Sequence, residues 1–489
     1  MKKLLFILPV VLALFLPACG ADGGSETVAT TKAAPTIAVV EGEAIGQLED
    51  VSVYIPADGE VIELKDLPAY TCTQSAKASY KSGREGDREQ VTHVLSGTDA
   101  ASFITYLQTL EAEGWEQYSN NIIEGTNLFA TYTKDGQSLY CYYISSKSRA
   151  YICYSPYQNL EVRQQDNRYE AVCEPLLTQV KLLCKEYAGG MSYFIRLSDG
   201  RFIIIDGGFN EKDLYHANQL YSMLQEQNVL PKITIAAWII THPHGDHLGT
   251  ASDFLRTYSS SQVELQQLIL NFPTEEEIKL IEPDTIAQTH PSYYPTFMLT
   301  LKTLWPDLTV TVCHTGQRYY FADATLEFLH TLEDYYPQSI ATLSSNNING
   351  ASTVFTLELG GQKVMFLADC AVDESKDLVK MWGGYLKSDI MQASHHCQRG
   401  GTVPLYQAID PTVVLAPLPD KSIVNRSILS YDATRWLWNN ESGNIREIIL
   451  SGWEQRTLSL PYAPAADTEF FSNATSDPWG GKEDTYKNK

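Results

Sequence analysis

The run Ile233 to Ile240 (ITIAAWII) carries a single polar residue and is followed at once by Thr241-His242-Pro243-His244-Gly245-Asp246-His247. A near-continuous apolar run of this kind reads as a strand covered on both faces, which requires layers on either side. The surrounding pattern agrees, because short apolar strands alternate with helical stretches from about Val180 to Tyr462. Tyr193 to Asp206 reads as a hairpin turning at Asp199-Gly200, and Thr353 to Asp369 as another turning at Gly360-Gly361. Asp389 to Ser394 reads as a strand leading into His395. The expected fold is therefore α/β and layered.

A loop leaving the end of a buried strand can aim several side chains into one cavity from a rigid base. His242 and His244 are read as binding one metal through imidazole nitrogen, with Asp246 and His247 reaching a second. A second string, Ser394-His395-His396, brings the two motifs to five of the ten histidines. The nine cysteines contain no CxxC pair, so any metal is held mainly by His and carboxylate. There is no Gly-x-Ser-x-Gly elbow or Walker-type phosphate loop. His330, at the end of a strand-like LEFLH, is read as structural, with a place facing the metals as the alternative. His93, His216, His290 and His314 have no neighbouring ligand string and are given no role.

Taken together, Asp206-Gly207-Gly208 after an apolar strand, then THPHGDHLGT, then Leu367-Ala368-Asp369, then SHH, resemble the metallo-β-lactamase superfamily in order and spacing. The resemblance covers roughly Cys184 to Tyr462 and implies a four-layer αβ/βα sandwich with a two-metal site between its sheets. Within that superfamily the chain looks most like the competence-type DNA-uptake nucleases and the phosphorylcholine esterases of cell walls. Asn349-Gly350-Ala351-Ser352-Thr353-Val354 and the double His carry this likeness. Those branches, like this chain, lack the extra His that true β-lactamases place before the bridging acid, which weighs against antibiotic hydrolysis. By the resemblance His242 and His244 serve the first metal, Asp246 and His247 the second, and Asp369 bridges both. His395 is taken as the remaining ligand, with His396 facing the substrate. Asp246 and His396 are the residues assigned to the reaction itself. Asp206 would orient the ligand loop without binding metal. Cys397-Gln398-Arg399 stands where the family has Gly-Ser or Gly-x. Arg399 is read as solvated, with contact to an anionic substrate as the alternative.

The expected cofactor is two divalent ions, zinc first, with manganese or iron compatible with the same donors. Two such ions sharing a water lower its pKa toward 7, so the expected reaction is attack by a bridging hydroxide. Both branches cleave phosphodiesters, which makes an exported phosphodiesterase the expected function. A thioester, lactone or lactam hydrolase on the same fold is the alternative, and a surface binding protein with a structural metal site is a third. With 36 basic against 59 acidic residues, the net charge of −23 disfavours long nucleic acid. A small or polymer-terminal anionic substrate fits better.

Ahead of this domain the chain is organised for export. Lys2 and Lys3 precede an apolar run, Leu4 to Leu16, that is too short to span a bilayer as a helix. Leu16-Pro17-Ala18-Cys19 resembles a bacterial lipoprotein signal, so residues 1–18 are expected to be removed and Cys19 to carry lipid, anchoring the protein outside the cytoplasm. Residues 19–50 read as the lipidated Cys and a flexible tether. Residues 51–165 read as a small α+β domain of unknown role. It has a helix from Asp99 to Gly114 and a meander of Leu128 to Thr133, Ser138 to Ile144 and Arg149 to Tyr154. A hairpin turning near Lys147 would set Cys141 opposite Cys153. Two buried thiols are expected, with a disulfide as the alternative. The metal-site domain is placed at 176–462 and a disordered tail at 463–489.

Overall fold

The computed structural model describes residues 60–471, apart from 65–66, 73–76, 86–87, 125, 157–159, 162–168, 183–189, 211, 276, 279–292, 336–347 and 419–426. The export signal, Cys19, the tether and residues 472–489 lie outside the described residues. Among the described residues no helix is long and apolar enough to cross a membrane.

The small domain is a six-stranded antiparallel sheet in the order Lys77–Glu85, Arg88–Ser96, Arg149–Ser155, Gln137–Ile144, Asn127–Lys134, Glu116–Ile123. The helix Ala100–Ala112 lies on one face, and its first turn is capped by Asp99 Oδ1 accepting from Ser102 N at 2.7 Å. Strand neighbours alternate between two cores. Leu139, Cys141 and Tyr143 pack under the helix, while Tyr140, Tyr142 and Ile144 pack against the rest of the protein. A sheet buried on both faces explains why LYCYYI has no polar side.

The same alternation settles the cysteine pair. The register sets Cys141 opposite Ile152 and Cys153 opposite Tyr140, one residue away from the pairing that would face the thiols. A one-residue offset moves a side chain to the other face, so Cys141 points into the helix-side core and Cys153 into the other. Both are free thiols, and the disulfide alternative is corrected.

The remainder is a two-sheet sandwich. The first sheet runs Thr309–Val312, Gln267–Leu270, Ile233–Ile239, Phe202–Asp206, Ser192–Arg196, Leu176–Gln179, Arg456–Ser459, with Val263–Leu265 also pairing to Ile233–Ile239. The second runs Arg318–Phe321, Ala324–His330, Val354–Leu359, Gln362–Phe366, Ile390–Gln392, Val413–Ala416, Glu447–Leu450. Residues from both sheets, Ile205, Ala237, Ile239, Phe328, Phe355 and Phe366 among them, form one core between them. The helices Tyr215–Gln227, Gly245–Thr257 and Tyr293–Leu304 cover the outside of the first sheet. Val372–Trp382, Val403–Ile409 and Asp432–Trp438 cover the second. This is the four-layer αβ/βα arrangement. The seven residues of Ile233–Ile239 are all buried, and both expected hairpins form. The turn of the second uses Gly360 and Gly361 at φ +61° and +79°, which side chains with a Cβ rarely adopt.

The face of the small domain away from its helix rests on the helix Val372–Trp382 and on connections beside it. Tyr140 Oη donates to Thr315 O (2.6 Å), Tyr142 Oη to Asp334 Oδ1 (3.0 Å), and Asn127 Nδ2 to Met381 O (2.9 Å). Lys147 Nζ pairs with Asp377 at 2.7 Å, and Phe129 stacks on Trp382 at 5.9 Å. The fit is close, because a Cβ on Gly316 would lie 2.1 Å from the Phe129 ring. Residues 463–471, placed in the tail by their polarity, are described. Phe470 O accepts from Ile448 N at 2.6 Å, and Phe470 and Phe471 pack against the core.

Candidate metal centre

The first loop leaves the buried strand Ile233–Ile239 and enters the helix Gly245–Thr257 with His244 at the N-cap. Asp246 therefore sits in the helix's first turn, where the backbone N–H groups and the dipole favour a carboxylate. Asp206, at the end of its strand, fastens the loop. It accepts from Thr241 N and Oγ1, each at 2.8 Å, and from His247 Nδ1 at 2.7 Å. With Nδ1 engaged, His247 turns Nε2 inward.

The second loop follows the strand Ile390–Gln392. His395, His396 and Cys397 are consecutive residues in the left-handed region, at φ 49°, 52° and 57°. Each such residue stores on the order of 1–3 kcal/mol of strain, which the surroundings must hold. Gln392, fully buried, does much of this: its Oε1 accepts from Leu367 N (2.9 Å) and Ala368 N (2.7 Å), and Ala368 O accepts from His395 N (2.9 Å). Ser394 Oγ donates to Cys370 O at 2.7 Å.

Both loops converge on Asp369, buried just past the strand Gln362–Phe366. Its Oδ1 lies 3.3 Å from His247 Nε2; its Oδ2 lies 3.4 Å from His396 Nε2 and 3.9 Å from His242 Nε2. His396 Nε2 is also 3.3 Å from Asp246 Oδ2. The donor atoms form two groups sharing Asp369: His242, His244 and Asp369, and Asp246, His247, Asp369 and His396. All six are therefore brought together, five of them from the expected metal set.

The two residues of the double His stand differently toward the donor groups. His396 Nδ1 donates to Pro417 O at 3.1 Å, freeing Nε2 to face the two carboxylates. His395 Nδ1 bonds to Arg399 O and its Nε2 accepts from Asn349 Nδ2 at 3.0 Å, so its lone pair is engaged. His395 is part-exposed and lies 3.8 Å from Asp369 Oδ2, beside the cluster and not within it. His396, assigned to the substrate, stands in the donor group instead, and His395 takes the open side. Arg399 is exposed, as expected of a solvated residue. His330 is fully buried away from the cluster, with neither ring nitrogen hydrogen-bonded. Neither Gln392 nor the role of Asn349 is legible in the sequence, because a buried amide that serves backbone groups or a ring nitrogen has no spacing signature.

Electrostatics follow from the packing. Burial works to raise the Asp246 carboxyl, but His396, with Nε2 3.3 Å from Oδ2, together with His247, holds it well below the usual carboxylate range. Asp369 behaves alike: burial is outweighed by His396, His247 and His395. Burial works against charge on His396, yet Asp369 and Asp246 push it up to about 10. His242 is lowered by burial and by His247 and His244. The chemistry fits divalent cations. His247 Nε2, His396 Nε2 and Asp369 Oδ1 are buried without a hydrogen-bond partner, and neutral imidazoles with carboxylates are the donors zinc, manganese or iron take.

Residues 188–379 match the model of the Metallo-beta-lactamase superfamily. Among solved structures, the chain is similar to the metallo-beta-lactamase fold protein YhfI from Bacillus subtilis (13% identity, TM-score 0.32), covering 58% of this chain and 100% of that one. It is also similar to CmlA, a diiron beta-hydroxylase from Streptomyces venezuelae (13%, TM-score 0.34), where 60% of this chain spans only 55% of the other. A metallo-beta-lactamase with a HARLDQ motif from Cronobacter sakazakii matches at 14% identity and TM-score 0.26, over 43% of this chain and 78% of that one. None of these bears on the substrate. No curated protein matches the chain.

Proposed function

We propose that this chain, which carries a metallo-beta-lactamase superfamily domain with a candidate metal site, is an exported, dinuclear metal-dependent phosphodiesterase. The observation that carries the reading is the asymmetry of the two donor groups. His242, His244 and Asp369 offer three side chains where a tetrahedral ion takes four, and His395, hydrogen-bonded to Asn349, stands beside Asp369.

In this reading His242, His244 and Asp369 hold one ion, and Asp246, His247, Asp369 and His396 the other. A bound pair supplies Lewis acidity and an activated water at neutral pH. Asp206 holds His247 with Nε2 inward, and Pro417 O does the same for His396. Burial lowers the pKa of His395 and favours its neutral form, and the Asn349 amide bonded to its Nε2 is the neutral N–H group offered to a phosphoryl oxygen. The acidic chain favours a small or polymer-terminal phosphodiester over long nucleic acid. A lipid at Cys19 would keep the protein at the outer side of a bacterial membrane, where envelope phosphodiesters occur.

The test is a panel on the metal-loaded protein: a chromogenic phosphodiester beside a thioester, a lactone and a β-lactam. Turnover of the phosphodiester alone supports the reading. Turnover confined to the acyl substrates overturns it and favours the acyl hydrolase. For the anchor, Cys19→Ser should shift the protein from the membrane fraction to the soluble one.

A further inference from the structure

We infer that the interface between the small domain and the sandwich holds a separate metal site, formed by Cys153, His314 and Glu333, for a thiophilic divalent cation of the zinc class. It is independent of the phosphodiesterase reading. One donor atom from each of the three buried residues lies within 4.8 Å of the others. Bonds of about 2.0–2.3 Å to one ion place donors on the order of 3.5 Å apart, a small contraction from this spacing.

The three residues come from three frameworks. Cys153 is on the small domain's strand Arg149–Ser155. His314 follows the strand Thr309–Val312 of the first sheet, and Glu333 lies in the turn Leu332–Tyr335 after a strand of the second. An ion there ties the small domain to both sheets at once.

The side chains are already oriented. Asn271 Nδ2 donates to Glu333 Oε2 at 2.7 Å, leaving Oε1 for His314 Nδ1 at 2.9 Å. The His314 ring stacks on Tyr140 at 5.3 Å, and its backbone N donates to Gln317 Oε1 at 2.8 Å. Charge points the same way. Burial works to raise the Glu333 carboxyl, but His314 holds it below the usual range, so it is an anion. Burial pushes the Cys153 thiol up, and Glu333 pushes it further. A buried thiol beside a buried carboxylate is a poor arrangement alone and a good one around a dication. On binding, the S–H bond breaks, an S–metal bond forms and one proton leaves to solvent, while the His314 Nδ1···Glu333 Oε1 hydrogen bond gives way and the imidazole keeps its single proton on the nitrogen away from the ion. Thiolate, carboxylate and neutral imidazole then balance the dication, and a thiolate with imidazole selects zinc-class ions over magnesium or calcium. Three protein donors leave a fourth position for water.

Cobalt(II) loading of the full-length protein tests this, because the Asp369 cluster contains no thiol donor. Cys370, next to Asp369, turns its Sγ toward Ser375 Oγ at 3.7 Å. The wild type and Asp369→Ala should both show a near-ultraviolet thiolate-to-cobalt charge-transfer band. Cys153→Ser should lose the band and one metal per chain by elemental analysis. A wild type without the band overturns the site whether or not Cys153→Ser folds, as does a metal count unchanged in a folded Cys153→Ser.

Discussion

The two loops that meet at Asp369 are built on opposite principles. The His242 to His247 loop takes ordinary backbone angles, and its donors are contiguous because a strand end and a helix N-terminus aim them together. The Ser394 to Cys397 loop holds three successive left-handed residues, and which ring faces inward depends on groups outside the string: Asn349, Arg399 and Pro417. A contiguous string in relaxed backbone exposes its donors to a reader of sequence. A strained turn hides them.

The largest expected effect sharpens this contrast directly. His396→Ala should lose metal from the second group and lower turnover by about 10³-fold or more, since several kcal/mol of charge stabilisation leave with the ion. His395→Ala should keep the metal count of the wild type and mainly alter substrate handling. Elemental analysis with steady-state kinetics separates the two. Equal metal loss in both variants would break the contrast.

Next in size is the clamp on the strained loop. Gln392→Leu leaves Leu367 N and Ala368 N without their acceptor. At roughly 1–3 kcal/mol per orphaned N–H, destabilisation of about 2–6 kcal/mol is expected in denaturant unfolding. The relaxed loop has a milder dependence. Asp206→Asn keeps the shape but weakens the hold on His247, and metal affinity should fall about 10–100-fold in a competition titration.

The smallest effect is on pH. In metal-free protein His396 is raised to about 10 despite burial, by Asp369 and Asp246. A group raised in the folded state adds stability that is full below its unfolded pKa of 6.5 and lost as pH climbs toward 10. The lowered carboxyls of Asp246 and Asp369 act in the other direction, adding stability above 3.8 that is lost as pH falls. Metal-free protein should therefore melt lower near pH 9.5 than near pH 6, and His396→Gln should flatten that difference. With metal bound the acid side dominates, because protons compete for His242, His244 and His247, and activity should fall on acidification. Activity unchanged down to about pH 4.5 would contradict these ligands.

Much of the architecture was legible where one residue type had one explanation. ITIAAWII could hardly face water, the paired glycines at 360 and 361 marked a turn, and Asp206 and Asp369 ended apolar strands. What escaped depends on register or on distance in the chain. Cys141 and Cys153 fell on opposite faces through a one-residue offset that no composition records. Residues 463–471 look like a tail until Phe470 and Phe471 find a core to pack on. His314 and Glu333 lie far from Cys153 in the chain, so their juxtaposition has no motif.

The central claim is that Asp369 joins two donor groups into one metal centre. Measuring metal per chain and chromogenic phosphodiester turnover in wild type and Asp369→Ala, both confirmed folded, tests it most directly. The account predicts that the variant loses two metals relative to the wild type and all measurable turnover. A folded variant that keeps its full metal count, or hydrolyses the substrate as fast as the wild type, would contradict it.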